Sequence, residues 1–282
     1  MQIITSIKDI KQRIKTIKGD QLTIGFVPTM GALHEGHMSL VRNAKKENDT
    51  VIVSIFVNPF QFGKNEDFKQ YPRTFERDCE LLSKEGADYI FSPDITEMYP
   101  EGFSTLIILS QLEDKLCGRS RPGHFRSVAV VVLKLLHLIK PDLAYFGQKD
   151  FQQTVIIKKM IQDLNLDIAV KILPTVRDEK GLALSSRNVY LTETEKKEAL
   201  CLYKSLLKAQ SMVHSGITDT KIIIREIENS INNHNLVTID YISIIDPETL
   251  ESVTTVRNGD VIAIAVKVGK TRLIDNAIFN YP

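Results

Sequence analysis

Apolar residues recur along this chain at two spacings, and the switches between them divide its first two thirds into short alternating elements. Ile7, Ile10, Ile14 and Ile17 follow helical spacing behind Ser6 and Asp9, which are placed as an N-terminal cap, so an amphipathic helix is expected near the start. Residues 22–27 form a short apolar run bounded like a buried strand, and a glycine-containing turn leads from it into a second helical pattern. Residues 50–58, TVIVSIFVN, are apolar nearly throughout, as a central parallel strand covered on both faces would be. Phe75, Cys79 and Leu82 mark a helix that stops at Gly86, and strands are expected at 89–91 and 104–109, joined by a turn-rich connection over 93–102. A strongly apolar helix over 128–139 ends before Pro141. It is followed by a strand at 143–146, a helix reaching about residue 164 and a strand at 168–173. Strands alternating with helices between 22 and 173 predict a parallel, doubly wound α/β sheet.

Beyond Pro174 the pattern changes. Residues 175–188, TVRDEKGLALSSRN, are polar, contain Gly181 and carry Arg177, Lys180 and Arg187. The domain boundary is placed here, giving domains 1–176 and 177–282. Thr192 and Glu195 form a capping box for a helix that Gly216 ends. A second helix over 220–233 and strands over 237–244, 261–268 and 272–274 complete a small α+β domain. That domain lacks a catalytic constellation of its own, so it is expected to cover the site. The polar boundary segment has little apolar surface to pin it and is expected to act as a mobile lid.

Composition narrows the partners. With 282 residues the chain is long enough for two domains, and 36 Lys and Arg against 35 Asp and Glu leave no global field to recruit nucleic acid or an anionic membrane. Anion binding must then be local. Cys79, Cys117 and Cys201 are odd in number, far apart and without Cys-x-x-Cys spacing, which predicts reduced thiols and a cytoplasmic setting. No secretory signal is recognisable, and the apolar run 128–139 is interrupted by Lys134 and His137 and falls short of the ~20 residues needed to span a bilayer.

The chemistry concentrates in residues 28–41, PTMGALHEGHMSLV. Gly31 and Gly36 allow a sharp turn and close approach of a ligand, while the N–H groups and dipole of the new helix favour an anion. His34 and His37, three apart, can face that anion together. A pair at this spacing also suits a structural turn or two metal ligands, but the zinc pattern His-Glu-x-x-His is absent: the sequence is His-Glu-Gly-His, at a turn. Asn58 and Gln61 follow the apolar strand 50–58, and in open α/β sheets ligands gather beyond the carboxyl ends of strands. Arg119, Arg121 and Arg126 crowd a loop that precedes the apolar helix and can meet a polyphosphate or carboxylate. Lys149, in GQKDFQQ, offers an ammonium at a strand-to-helix turn, with Gln153 one helical turn further on. Neither a Gly-x-Gly-x-x-Gly fingerprint nor a P-loop is present, which counts against a dehydrogenase or a simple NTPase.

The block PTMGALHEGH is similar to the His-Ile-Gly-His signature of the nucleotidyl-transferase superfamily, and it resembles more closely the Pro-Thr-Met-Gly-Ala-Leu-His-x-Gly-His signature of pantothenate synthetases. FVNPFQFG, RPGHF, YFGQKDFQQ and the stretch from TVR to SSRN follow that family's pattern in order, so landmarks run from residue 28 to 188. Ser127 departs from it where a glycine is expected; it should tighten the loop without changing the chemistry. Ser185, Ser186 and Arg187 resemble the mobile Lys-Met-Ser-Lys-Ser loop of related adenylating enzymes.

The resemblance implies a Rossmann-like domain that binds ATP and pantoate, with a C-terminal lid. It implies condensation of pantoate with β-alanine through a pantoyl-adenylate, using ATP with Mg2+ and releasing AMP and pyrophosphate. Met30, Gly31, Ala32, Leu33, His34, Glu35, Gly36 and His37 would then hold ATP, together with Gly147, Gln148, Lys149, Asp150, Val176, Leu184, Ser185, Ser186 and Arg187. Gln61 and Gln153, with Asn58 and Met30, would hold pantoate. His34, His37, Lys149 and Arg187 would act on phosphoryl charge, His37 as proton donor and Lys149 as counter-charge. The resemblance identifies no protein ligand for Mg2+, and it implies a homodimer. Two other readings share these motifs: nucleotidyl transfer to a different small substrate, and nucleotide binding without catalysis.

Overall fold

The computed structural model describes residues 1–64 and 66–281. In chain order they form β1 (Gln2–Ile4), α1 (Ile7–Gly19), β2 (Ile24–Thr29), α2 (Glu35–Glu47), β3 (Thr50–Ile55), α3 (Phe75–Lys84), β4 (Tyr89–Phe91) and α4 (Ile95–Met98). Next come α5 (Cys117–Ser120), α6 (His124–Ile139), β5 (Leu143–Gly147), α7 (Phe151–Asp163) and β6 (Ala169–Leu173). The last part contributes α8 (Glu193–Ala199), α9 (Cys201–His214), α10 (Thr220–Asn232), β7 (Val237–Ile245), β8 (Val261–Val268) and β9 (Thr271–Ile278). No described helix is long and apolar enough to cross a membrane.

Two compact units result. The first comprises Met1–Leu109, Pro122–Gly147 and Ile156–Pro174; the second comprises Ser110–Arg121, Gln148–Val155 and Thr175–Pro282. In the first, six parallel strands take the order β1-β4-β3-β2-β5-β6. β3 is buried at every position and β2 nearly so, which is why their sequences are apolar runs rather than alternations. α1 is held as its sequence predicts: the Ser6 hydroxyl accepts the Asp9 N–H at 3.0 Å, and Ile10, Ile14 and Ile17 are buried. Val41 of α2 and Leu82 of α3 share a core with Ile90 of β4 and Tyr145 of β5, whose ring is fully buried.

The second unit is an antiparallel sheet, β7-β8-β9, covered by α9 and α10 through Leu202, Leu206, Ile223 and Ile227. Thr192 and Glu195 cap α8 reciprocally, as expected.

Three expectations need correction. Residues 104–109 join neither sheet; Leu106 and Ile108 are 70% and 56% exposed. The edge of the parallel sheet beside β4 is taken instead by β1, whose three residues are too few to show a period. β9 runs well past 272–274, to Ile278, and its Asp275 and Asn276 are buried and hydrogen-bonded although polar. The boundary segment is also better anchored than its composition suggests: Gly181, Leu182 and Ala183 are buried.

Candidate active site

From β2 the chain passes to β3 on one side and returns through β5 on the other, so the sheet order reverses between β2 and β5, which pair at Gly25↔Leu143 and Phe26↔Ala144. A crevice forms beyond the carboxyl ends of strands at such a reversal. In the first unit the turn over 30–37 leaves the end of β2, Asn58 and Gln61 follow β3, and Gly147 ends β5. A side chain at Gly147 would meet no atom within 4 Å.

The turn after β2 is built on an internal carboxylate. Gly31 and Ala32 have φ of 78° and 50°, and the left-handed conformation costs a non-glycine residue about 1 kcal/mol. Asp78, on α3 and 1% exposed, offsets this: its two oxygens accept the N–H groups of Ala32 at 2.8 Å and Leu33 at 2.9 Å, and Oδ1 also accepts the Thr74 hydroxyl at 3.0 Å. A Cβ at position 31 would stand 3.1 Å from both Asp78 Oδ2 and Ile55 Cγ2, so glycine is required by space as well as by φ.

At the start of α2 the two histidines cap the helix and each other. His34 Nδ1 accepts the Gly36 N–H at 3.2 Å, and His37 Nδ1 accepts the His34 N–H at 3.3 Å. The rings lie 4.1 Å apart, tilted by 43°. With Nδ1 an acceptor in both, each neutral imidazole carries its proton on Nε2. Backbone donors are correspondingly engaged. The His37 N–H goes to the His34 carbonyl at 2.8 Å, and those of Ala32 and Leu33 go to Asp78. The N–H groups of Gly31, Ala32, Leu33, His34, Gly36 and His37 are thus engaged inside the protein, where the sequence led to an expectation of free donors. A Cβ on Gly36 would lie 2.9 Å from the His34 ring and displace it. Glu35 is committed elsewhere, to an ion pair with Arg42, which also bonds Glu85 at 2.6 Å.

Asn58 is 1% exposed and spends its amide inside the protein. Its oxygen accepts the Tyr99 hydroxyl at 2.9 Å and the Phe60 N–H at 3.3 Å, and its nitrogen donates to Gln61 Oε1 at 3.2 Å and to the Ser127 carbonyl at 3.3 Å. Gln61 in turn donates to Met30 Sδ at 2.9 Å, and its carbonyl meets His124 Nδ1 at 2.8 Å. Met30 and Gln61 thus stand side by side, with Asn58 as their support. Ser127 contributes a backbone carbonyl from the first turn of α6, where no glycine is needed.

In the second unit β9 organises the remaining residues. Asn276, 3% exposed, donates to the Gln148 and Lys149 carbonyls at 3.0 and 2.9 Å and accepts from the Gln148 side chain at 3.1 Å, which fixes the turn bearing Lys149. Lys149 Nζ is 3.9 Å from the Asp150 carboxylate, its side chain 19% exposed. The neighbouring Asp275 grips Arg177 at 2.5 and 2.9 Å. The Arg177 guanidinium also lies over the Tyr203 ring at 4.3 Å, and a side chain at Gly181 would run into that ring at 2.2 Å. Leu184 N–H bonds the Val176 carbonyl at 3.0 Å, and the Ser185 hydroxyl accepts the Arg187 N–H at 3.3 Å as the cap of a 3-10 turn, Ser186–Tyr190. On α7, Gln152 is buried and bonds the Cys117 N–H and the Leu112 and Lys115 carbonyls. Gln153, beside it in the first turn of α7, is half-buried. Arg119 is exposed, whereas Arg121 is half-buried in this unit and Arg126 half-buried in the first.

The supporting residues Asp78, Asp275, Asn276 and Tyr203 escaped the sequence reading. Only Asp78 carried a signal there, since spacing from Phe75 and Leu82 puts it on the buried side of α3. No group of three or more His, Cys, Asp or Glu among the described residues is placed to hold a metal ion.

Comparison with known proteins gives a consistent picture. A profile described as pantoate-beta-alanine ligase matches residues 2–278. The chain is 51% identical over 278 residues to a pantothenate synthetase of Caldicellulosiruptor bescii and 52% identical over 278 residues to one of Thermotoga neapolitana, with 99% of each chain covered. Among solved structures it is similar to pantothenate synthetase from Thermus thermophilus, with a TM-score of 0.95, 40% identity and full coverage of both chains. It is also similar to a pantoate-beta-alanine ligase from Francisella tularensis complexed with beta-gamma ATP and β-alanine, with a TM-score of 0.83, 36% identity and 100% and 99% coverage.

Proposed function

The chain belongs to the pantoate-beta-alanine ligase family, and from that premise we propose that it joins pantoate to β-alanine through a pantoyl-adenylate. The observation that carries the reading is the close, tilted His34–His37 pair beyond the carboxyl end of β2, next to the reversal in sheet order. A pantoate carboxylate oxygen attacks the α-phosphorus of ATP and pyrophosphate leaves. The β-alanine amine then attacks the acyl carbon, loses a proton and expels AMP. No enzyme nucleophile takes part, so catalysis consists of positioning and of neutralising charge on the phosphoryl group.

His34 and His37 present Nε2–H donors to phosphate oxygens, and His37 supplies the proton. Lys149 and Arg187 offset negative charge, with Gly147, Gln148, Asp150, Val176, Leu184, Ser185 and Ser186 around the nucleotide. Gln61 and Gln153 hold pantoate, and Met30 packs beside Gln61; Asn58 acts by orienting Gln61. Mg2+ would come with ATP, held by phosphate oxygens and water as is usual for this ion, and would offset charge on the phosphates. We assign the chain to the cytoplasm as a homodimer.

The test is product analysis. With ATP, Mg2+ and pantoate the protein should release pyrophosphate, and on adding β-alanine it should yield AMP and pantothenate. ADP with inorganic phosphate would exclude the adenylate route, and binding of ATP without turnover would reduce the chain to a nucleotide-binding module.

A further inference from the structure

Asn58 is the N-cap of the 3-10 turn Pro59–Gln61, and each of its polar contacts has a fixed direction. The Phe60 N–H can only donate and the Ser127 carbonyl can only accept, so the first identifies the Asn58 oxygen and the second its nitrogen. The Tyr99 hydroxyl therefore donates to Asn58 Oδ1, at 2.9 Å. The Asn58 nitrogen must meet Gln61 through Oε1, at 3.2 Å, which leaves Gln61 Nε2 on the side of Met30, 2.9 Å from its Sδ. Polarity thus passes in one direction along Tyr99, Asn58 and Gln61. The two backbone contacts of Asn58 are long, at 3.3 Å, and the Tyr99 bond is the shortest of the four. Tyr99 stands at the end of α4, 41 positions from Asn58, and is 8% exposed. Its ring is held by Phe60 at 4.5 Å and Phe103 at 5.0 Å, both edge-on, with Lys134 Nζ 5.5 Å from its centroid. Burial pushes the phenol up, so the hydroxyl keeps its proton.

We infer that Tyr99 is a positioning residue for pantoate: through Asn58 it turns the Gln61 carboxamide so that nitrogen, not oxygen, is presented to the substrate. The inference rests on the reading of Gln61 and Met30 as pantoate-binding residues. The two ends of a carboxamide are nearly equal in size, so packing does not choose between its orientations and hydrogen bonds must. Pantoate offers a carboxylate and hydroxyls, and a carboxylate only accepts; a Gln61 turned the other way would set its own oxygen against it. A thioether is a weak acceptor, so a substrate oxygen competes favourably with Met30 Sδ for the Gln61 N–H. Without the Tyr99 hydroxyl the buried Asn58 oxygen loses its shortest bond and keeps only the long one from Phe60, which weakens the hold on Gln61. None of these bonds reaches His34, His37 or Lys149, so the loss should fall on pantoate and spare ATP.

The test measures pyrophosphate release by the full chain, with pantoate and ATP varied separately. Tyr99→Phe keeps the ring and removes only the hydroxyl. It should raise the KM for pantoate about 5- to 10-fold, the scale of one hydrogen bond, and leave the KM for ATP and kcat within about twofold of the parent. Gln61→Ala supplies the second arm, read as kcat/KM for pantoate so that saturation is not required. If Tyr99 acts through Gln61, adding Tyr99→Phe to Gln61→Ala should change kcat/KM by less than about twofold, because the two losses are one interaction. An unchanged pantoate KM in Tyr99→Phe would overturn the positioning role. A rise in both KM values together would overturn it too, making Tyr99 a general support of the fold, as would a second loss of the same size on the Gln61→Ala background. A parent chain that releases no pyrophosphate with pantoate would instead remove the reading of function on which the inference stands.

Discussion

At the scale of single residues, the placement of the two histidine rings depends on the residues around them. Gly36 illustrates this, because its missing Cβ is the space in which the His34 ring caps the helix. Gly36→Ala is expected to lower the rate of adenylation by about 10- to 100-fold, the scale of a displacement of roughly an ångström near reacting atoms. Stability should change little, since alanine suits a helix better than glycine. Pyrophosphate release measured beside a thermal melt separates the two effects, and an unaltered rate would show that the ring's placement does not matter. The signature itself was legible in sequence because glycine and histidine at fixed spacing carry local information. Asp78 was not, since its partners Ala32 and Leu33 are more than forty positions away.

Among elements, β9 fixes two separate segments of the second unit, and sequence alone delimits it poorly. Adjacent residues Asp275 and Asn276 point to opposite faces of the strand, and each fixes a separate segment: Arg177 at the start of the boundary stretch, and the turn 148–149. Asn276→Ala removes three hydrogen bonds at a buried position. It should cost about 2 kcal/mol of stability, since the carbonyls left behind are partly shielded from water. The turn should then lose its fixed geometry and adenylation should slow, whereas a surface control such as Lys221→Ala should change neither. Urea denaturation with parallel rate measurements decides this, and a fully active, fully stable variant would refute the anchoring role. Period-based reading shortened β9 because buried polar residues interrupt an apolar pattern, although they are buried to make these bonds.

For the whole molecule, a pH dependence follows from burial in both units. Burial pushes the Cys201 thiol up to about 11 from an ordinary value of 9.0, and burial with the nearby Glu47 raises the Tyr145 phenol from 10.0 to about 12. In each case the folded state holds the proton more tightly than the unfolded chain does. The associated stability is complete below the unfolded value and is lost as pH rises towards the folded one. The melting temperature should therefore fall between about pH 9 and 12, and Cys201→Ala should flatten the part of that fall between about 9 and 11; an equal slope in the variant would remove the thiol as a cause. Sequence alone determined the alternation of strands and helices, the α/β character of the first unit, the helix caps at Ser6 and Thr192 and the histidine turn, because each depends on residues a few positions apart. Tertiary structure decided which strand took the edge beside β4, that 104–109 stayed outside both sheets, and that Asp78 and Asn276 hold the turns at 32–33 and 148–149. Those outcomes depend on segments competing for the same hydrogen bonds across long stretches of chain, and no local pattern records which of them wins.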